Sequence, residues 1–258
     1  MIDLFAQMAA FTGLGQAWLW AATLVFLRVG AVMFLMPAFG EQVVPQRVRL
    51  ILALAFSSIV APAVAPGLAD IPGGALAPAV EVMTGLALGI GLRLFIFALQ
   101  IAAAIIAQAT SLSQLFGGTT PDPQPAIGNL LTVAALALAV MSGLHVKAAE
   151  FLILSYGVLP AGQFPAASDM ADWGLLQIAH AFSLAFALSA PFVIGSVIYN
   201  VALGIISRAM PQLSVILVGA PALTGAALVL MMITVPIILT VWLGSFDAFV
   251  AHPFKVGP

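Results

Sequence analysis

The sequence predicts an all-α, polytopic membrane-type protein of long helices, and three observations carry that prediction. Of 258 residues, 63% are hydrophobic and only 6% charged, with a mean hydropathy of +1.21. A water-soluble surface needs about a quarter of its residues charged, so this chain is solvated by lipid or by other proteins. Second, the apolar residues gather into six blocks bounded by polar punctuation, most of them long enough to cross a bilayer. Third, proline lies both between the blocks and inside them, as Pro191 and Pro236. There it deletes a backbone hydrogen bond and kinks or breaks a helix. The whole describes one hydrophobic unit with no room for a soluble domain.

The first block runs roughly from Trp18 to Met36, with Trp18 and Trp20 set like interfacial anchors and Arg28 inside it. A turn, PAFGEQVVPQRVR, follows; Pro45 can open the second helix, with Arg47 and Arg49 in its first turn. The second block, Leu50 to Val64, ends near Pro62 and Pro66, and Asp70, Pro72, Gly73 and Gly74 form a loop. The third, about Ala75 to Gln108, is far longer than the ~30 Å of bilayer hydrocarbon requires. Gly85, Gly89, Arg93, Gln100, Ala104 and Gln108 drift around one side of it, a small-and-polar face expected to meet another helix.

Next comes a polar island, Ser111 to Gly128, reading SLSQLFGGTTPDPQPAIG. Its prolines, Pro121, Pro123 and Pro125, push Thr120, Asp122 and Gln124 towards extended geometry, so the stretch is expected to be a stiff, polyproline-like loop and not a helix. Its apolar lead-in is Leu112, Leu115 and Phe116. Block four runs from Leu130 to Leu154, and a second polar break from Gly157 to Asp172. Block five covers Trp173 to about Ser207 and block six Val215 to Leu243, each too long for one straight span, so broken or hairpin-like helices compete with rods. With Arg47, Arg49 and Arg208 in the odd connections and Asp70, Asp169 and Asp172 in the even ones, six spans with a cytoplasmic first connection satisfy the positive-inside rule. The first residues hold an acid and no Lys or Arg, unlike a cleaved signal peptide, so insertion is expected to rely on the first internal helix.

The 7 basic and 9 acidic residues form no basic stripe, which argues against a nucleic-acid partner. No cysteine is present, which removes disulfides, thiolate metal sites and thiol catalysis. Three scattered histidines make no metal site, and no HExxH, Walker loop or GxSxG occurs, so neither a cofactor nor an enzymatic activity is indicated. Ionisable residues within apolar blocks are costly unless paired. Lys147 and Glu150, three apart, are expected to pair on one helix face. Glu81 and Arg93, twelve apart and about 120° around a helix, are expected to find separate partners. Arg28 and Arg93 could each take carbonyls, a facing acid, or the headgroups. His145 and His180 are expected to be hydrogen-bonded between packed helices, a proton relay being the alternative.

Taken in order, four fragments resemble one family, the FliR-type subunits of type III secretion export gates. They are Pro37-Ala-Phe-Gly40 with Val44-Pro-Gln-Arg-Val-Arg49; Gly85-Leu-Ala-Leu-Gly89 through Arg93, Phe97, Gln100 and Gln108; Ser142-Gly-Leu-His145 with Ser155-Tyr156 and Pro160; and Asn200 to Gly225, whose R-x-x-P-Q-L around Arg208 and following V-G-x-P are the most specific. The chain departs from the family's glycines at Ala109 and Thr110, and from its lysine at Ala222 to Thr224.

The resemblance implies one export-gate domain over residues 1–258, similar to a fusion of the FliP and FliQ folds built from kinked helical hairpins. It implies assembly with FliP and FliQ homologues, with FlhB and FlhA homologues nearby, around a channel for unfolded export substrates in the bacterial inner membrane at the flagellar basal body. It also implies that the loop after the third helix, here Ser111 to Gly128, is a plug. Leu112, Leu115 and Phe116 would occlude, Gly117 and Gly118 would hinge, and Pro121, Pro123 and Pro125 would limit slack. Energy would come from the proton motive force and an associated ATPase. Competing readings are a secondary transporter coupling ions through Glu81, Arg93, Glu150 or His180, and a passive membrane scaffold.

Overall fold

The computed structural model describes the backbone of residues 2–68, 71–110, 125–209 and 215–254, and the side chains of 15–68, 71–110, 127–209 and 225–254. Among the described residues there is no strand, and the helices are α1 (Ile2–Leu35), α2 (Gln46–Val64), α3 (Leu76–Thr110), α4 (Pro125–Met141), α5 (Leu144–Val158), α6 (Ala167–Ala209) and α7 (Val215–Ala251). A 3-10 turn, Ala65–Gly67, follows α2. Five of these helices are long and apolar enough to cross a membrane, and six spans result if α4 and α5 together form one. The protein is thus the all-α, polytopic membrane-type chain that its composition predicts.

The punctuation acts as expected in most places. Pro45 precedes α2 at φ −58° and ψ 143°, the extended geometry of a residue that starts a helix without joining it. The turn before it is tight: the Gly40 N–H donates to the Met36 carbonyl at 2.7 Å. Ala38 there adopts φ 69°, a left-handed conformation that costs an L residue about 1–2 kcal/mol. Trp18 is 56% exposed, as an interfacial side chain would be.

Four expectations are corrected. Pro125 to Gly128 belong to the first turn of α4 and not to a loop, because proline at the first helical position gives up only an N–H that would be unsatisfied anyway. Block four is not continuous: α4 and α5 meet at a 76° bend, where Gly143 takes φ 85°. The second polar break shrinks to residues 159–166, since Asp169 and Asp172 both lie in α6, Asp169 in its first turn, where a carboxylate favours the helix dipole. The first helix starts at Ile2, well before Trp18. Of the two forms left open for blocks five and six, continuous helices are found: α6 runs 43 residues through Pro191 and α7 runs 37 residues as one helix containing Pro236.

The chain divides into two compact units, Met1–Arg93 with Val140–Gln177 and Asp247–Pro258, and Leu94–Ala139 with Ile178–Phe246. In the first, α1 packs on α2, and α2 on α5. Leu24, Val29 and Met33 of α1, Val60 of α2, Leu88 of α3 and Phe151 of α5 are fully buried. Gly85 and Gly89 of α3 meet α1 directly. A Cβ added at Gly85 would lie 2.5 Å from the Arg28 carbonyl oxygen, and one at Gly89 would lie 2.9 Å from Leu35 Cβ. The GxxxG pair therefore marks a close helix approach, as small residues do in membranes. Also in this unit, the Trp173 indole N–H donates to the Pro253 carbonyl at 2.8 Å.

In the second unit, α3 and α4 form a helical hairpin: a Cβ at Gly128 would touch Ala103 at 3.7 Å. Trp242 of α7 is fully buried, stacks on Phe246 at 5.3 Å and donates its indole N–H to the Phe95 carbonyl of α3 at 2.8 Å. This bond ties α7 to α3, and it satisfies the one polar atom of a side chain that otherwise buries as hydrocarbon.

Candidate functional site

Two places are candidates for function: the segment 111–124 between α3 and α4, and a buried charge centre in the first unit. The expected plug residues Leu112, Leu115, Phe116, Gly117, Gly118, Pro121 and Pro123 lie outside the described residues; Pro125 opens α4. The helices on either side of that segment are described. Thr110 closes α3 with its hydroxyl donating to the Ile106 carbonyl at 2.8 Å. Thr110, Ile106, Ile127 and Phe192 then line a cavity of about 140 Å³ together with Ala227, Leu228 and Met231. The described end of the hairpin is thus mainly apolar.

The charge centre is built from three helices and one connection. Arg28 of α1 and Glu81 of α3 are both fully buried. Arg28 Nε donates to Glu81 Oε2 at 2.7 Å and Nη2 to Oε1 at 3.1 Å, a bidentate fork. Nη1 donates to Ser155 Oγ of α5 at 3.3 Å, and the Ser155 hydroxyl donates to the Leu152 carbonyl at 2.7 Å. The guanidinium carbon lies 3.7 Å from the centre of the Tyr156 ring, a cation–π contact on the flat face left free by the fork. Glu81 Oε1 also accepts the backbone N–H of Gly162 at 3.1 Å. Each charged atom of the pair has a partner, which is the condition under which burial of two ions is tolerated.

Other expected residues fall differently. Arg93 finds the facing acid Glu41, with Nη1 to Oε1 at 2.5 Å, so Glu81 and Arg93 do take separate partners. The expected Lys147–Glu150 pair does not form. Lys147 Nζ donates instead to Asp247 Oδ1 at 2.7 Å and to Ser142 Oγ at 3.2 Å, while Glu150 is exposed. A long-range acid that accepts at 2.7 Å outcompetes a local one on an exposed face. Arg208 is exposed in the last turn of α6, where a cation favours the helix dipole. His145 and His180 are exposed and not held between packed helices; the His180 ring sits 6.0 Å from that of Phe95. Gln100 and Ala104 line an open groove of about 380 Å³ with Ile178, Ala181 and Phe182 of α6, so among the described residues that part of the small-and-polar face is left open.

Sequence reasoning missed the acids Glu41 and Asp247 as partners, and it missed Ser155, Tyr156 and Gly162 as neighbours of Arg28. A usable signal existed only for the last group. An arginine within an apolar block needs several acceptors, and Ser155-Tyr156 is a polar pair inside another block.

The matches to known proteins extend over nearly all of this architecture. The family described as bacterial export proteins, family 1, matches residues 19–249. The chain is 34% identical over 229 residues to the flagellar biosynthetic protein FliR of Caulobacter vibrioides, covering 86% of this chain and 91% of that one. It is 30% identical over 239 residues to the protein of that name in Escherichia coli and 28% over 231 residues to that in Bacillus subtilis, each covering 86% of this chain and 88% of the relative. The chain belongs to the bacterial export proteins, family 1, the family of these FliR relatives.

Proposed function

We propose that this chain is a non-enzymatic subunit of the flagellar protein export apparatus, acting as one export-gate domain over residues 1–258. The observation that carries the reading is the family match over residues 19–249, from α1 to the end of α7. In the finer form of the proposal, the chain assembles with FliP and FliQ homologues in the bacterial inner membrane. FlhB and FlhA homologues lie nearby, unfolded substrates pass through the channel, and the 111–128 loop plugs it.

Packing supports an assembly. Among the described residues, only 22% of the apolar stretch of α7 and 33% of that of α6 is buried, against 56% for α3. At 1.5 Å per residue, α6 is about 65 Å long, roughly twice the hydrocarbon thickness. Helices of that length and exposure need partners outside the lipid core. The groove beside Gln100 makes the same demand, since an amide facing lipid tails lacks hydrogen-bond partners.

The transporter reading draws no support from the geometry. Glu81 is committed to Arg28 and Gly162, and His180 and Glu150 are each exposed. Coexpression decides between them. The chain should be unstable alone and should co-purify with FliP and FliQ homologues; stable protein that moves ions by itself in vesicles would refute the assembly reading.

A further inference from the structure

We propose that the Arg28–Glu81 pair is a register key for the first compact unit. It selects one sliding and rotational alignment of α1, α3 and α5, and it straps the α5–α6 connection onto them. In lipid, apolar helix faces gain little from one alignment over a slipped one, because lipid tails solvate them equally well. A buried ion pair discriminates sharply. Slipping one helix by a residue shifts it 1.5 Å and turns it about 100°, which would leave two fully buried ions unpaired.

The contact also has a direction. Glu81 Oε1 accepts from both Arg28 and the Gly162 N–H. Gly162 takes φ 71°, a conformation that favours glycine, so the connection is shaped to deliver that N–H to a carboxylate. Arg28 in turn must be the cation, because its flat face covers the electron-rich face of Tyr156 and its Nη1 needs the Ser155 oxygen. Exchanging the two ions would keep a pair and lose each of these contacts. Buried pairs stabilise poorly compared with apolar side chains of similar size. What this pair supplies is therefore alignment, with the 159–166 connection fixed as a consequence.

The test is amide hydrogen exchange across residues 159–166 in the chain purified with its native partners. Pro160 and Pro165 contribute no amide, which isolates Gly162 among few signals. In R28M/E81M, protein should still be recovered while Gly162 exchange accelerates about tenfold or more, the scale of one hydrogen bond to a charged group. R28E/E81R should not restore protection. Wild-type exchange in R28M/E81M, or rescue by R28E/E81R, would overturn the proposal. If R28M/E81M yields no protein, Glu81→Gln puts the same question, and faster Gly162 exchange is expected. Failure of both variants to yield protein would show that the pair supplies stability and not alignment, and would also overturn it.

Discussion

Adding one methyl group at Gly85 probes the contact on which the first unit depends. The new Cβ would sit 2.5 Å from the Arg28 carbonyl oxygen, 2.8 Å from Ala31 Cβ and 3.2 Å from the Arg28 carbonyl carbon. Carbon atoms pack at about 3.5–4.0 Å, so α1 and α3 must separate by about 1 Å. Two of the three obstructing atoms are backbone, and no rotamer change can move them. Helix propensity favours alanine by about 1 kcal/mol, whereas overpacking costs about 1–3 kcal/mol. The separation also stretches the Arg28–Glu81 fork, whose charge-assisted bonds are worth about 1.5–3 kcal/mol each. The net expectation is a loss of about 1–4 kcal/mol.

Gly30 is the control. It lies in α1, and a Cβ there would meet nothing within 4 Å. Gly30→Ala should therefore be neutral or raise stability by up to about 1 kcal/mol. Thermal unfolding of the purified complex reads both, and about 1 kcal/mol moves Tm by roughly 2–4 °C in a chain of this size. A Gly85→Ala protein as stable as the Gly30→Ala protein would refute the close α1–α3 approach.

Three further outcomes are expected. Ala38→Gly should raise Tm by relieving φ 69°, and Gly143→Val should lower it by forcing a β-branched residue to φ 85° at the α4–α5 bend; the opposite signs would contradict these backbone conformations. Lys147→Met should cost no more than about 1 kcal/mol, because Lys147 and Asp247 are 30% and 35% exposed and such pairs contribute little; a much larger loss in thermal unfolding would mean that the pair is shielded from water. Deleting Gly117 to Gln124 should make cells leak small solutes while secretion continues, and unchanged leakage would favour the passive scaffold.

Much of the fold is legible in the sequence because lipid imposes a simple rule: apolar runs of sufficient length become helices. Pro45 marks the start of α2, and Gly85 and Gly89 mark the face of α3 that meets α1, since these effects depend only on local geometry. The bend at Gly143 is harder to read. No proline announces it, and a lone glycine in an apolar run is usually helical. Pro125 misleads in the opposite sense, because the same ring that ends one helix can begin the next.

Charge partners are where sequence reading fails. Lys147 has Glu150 within reach along the helix, yet it bonds to Asp247, 100 residues away. Arg28 is recognisable as a residue needing acceptors, but only the fold brings Glu81, Ser155, Tyr156 and Gly162 around it. Pairing in the interior is decided by which helices meet, and periodicity along one helix carries no record of that.

A structure of the assembled export complex that locates Phe116 relative to the channel axis tests the central claim most directly. The gate reading predicts the Phe116 ring at the axis, with Leu112 and Leu115 beside it closing the opening. A Phe116 side chain facing lipid would contradict it.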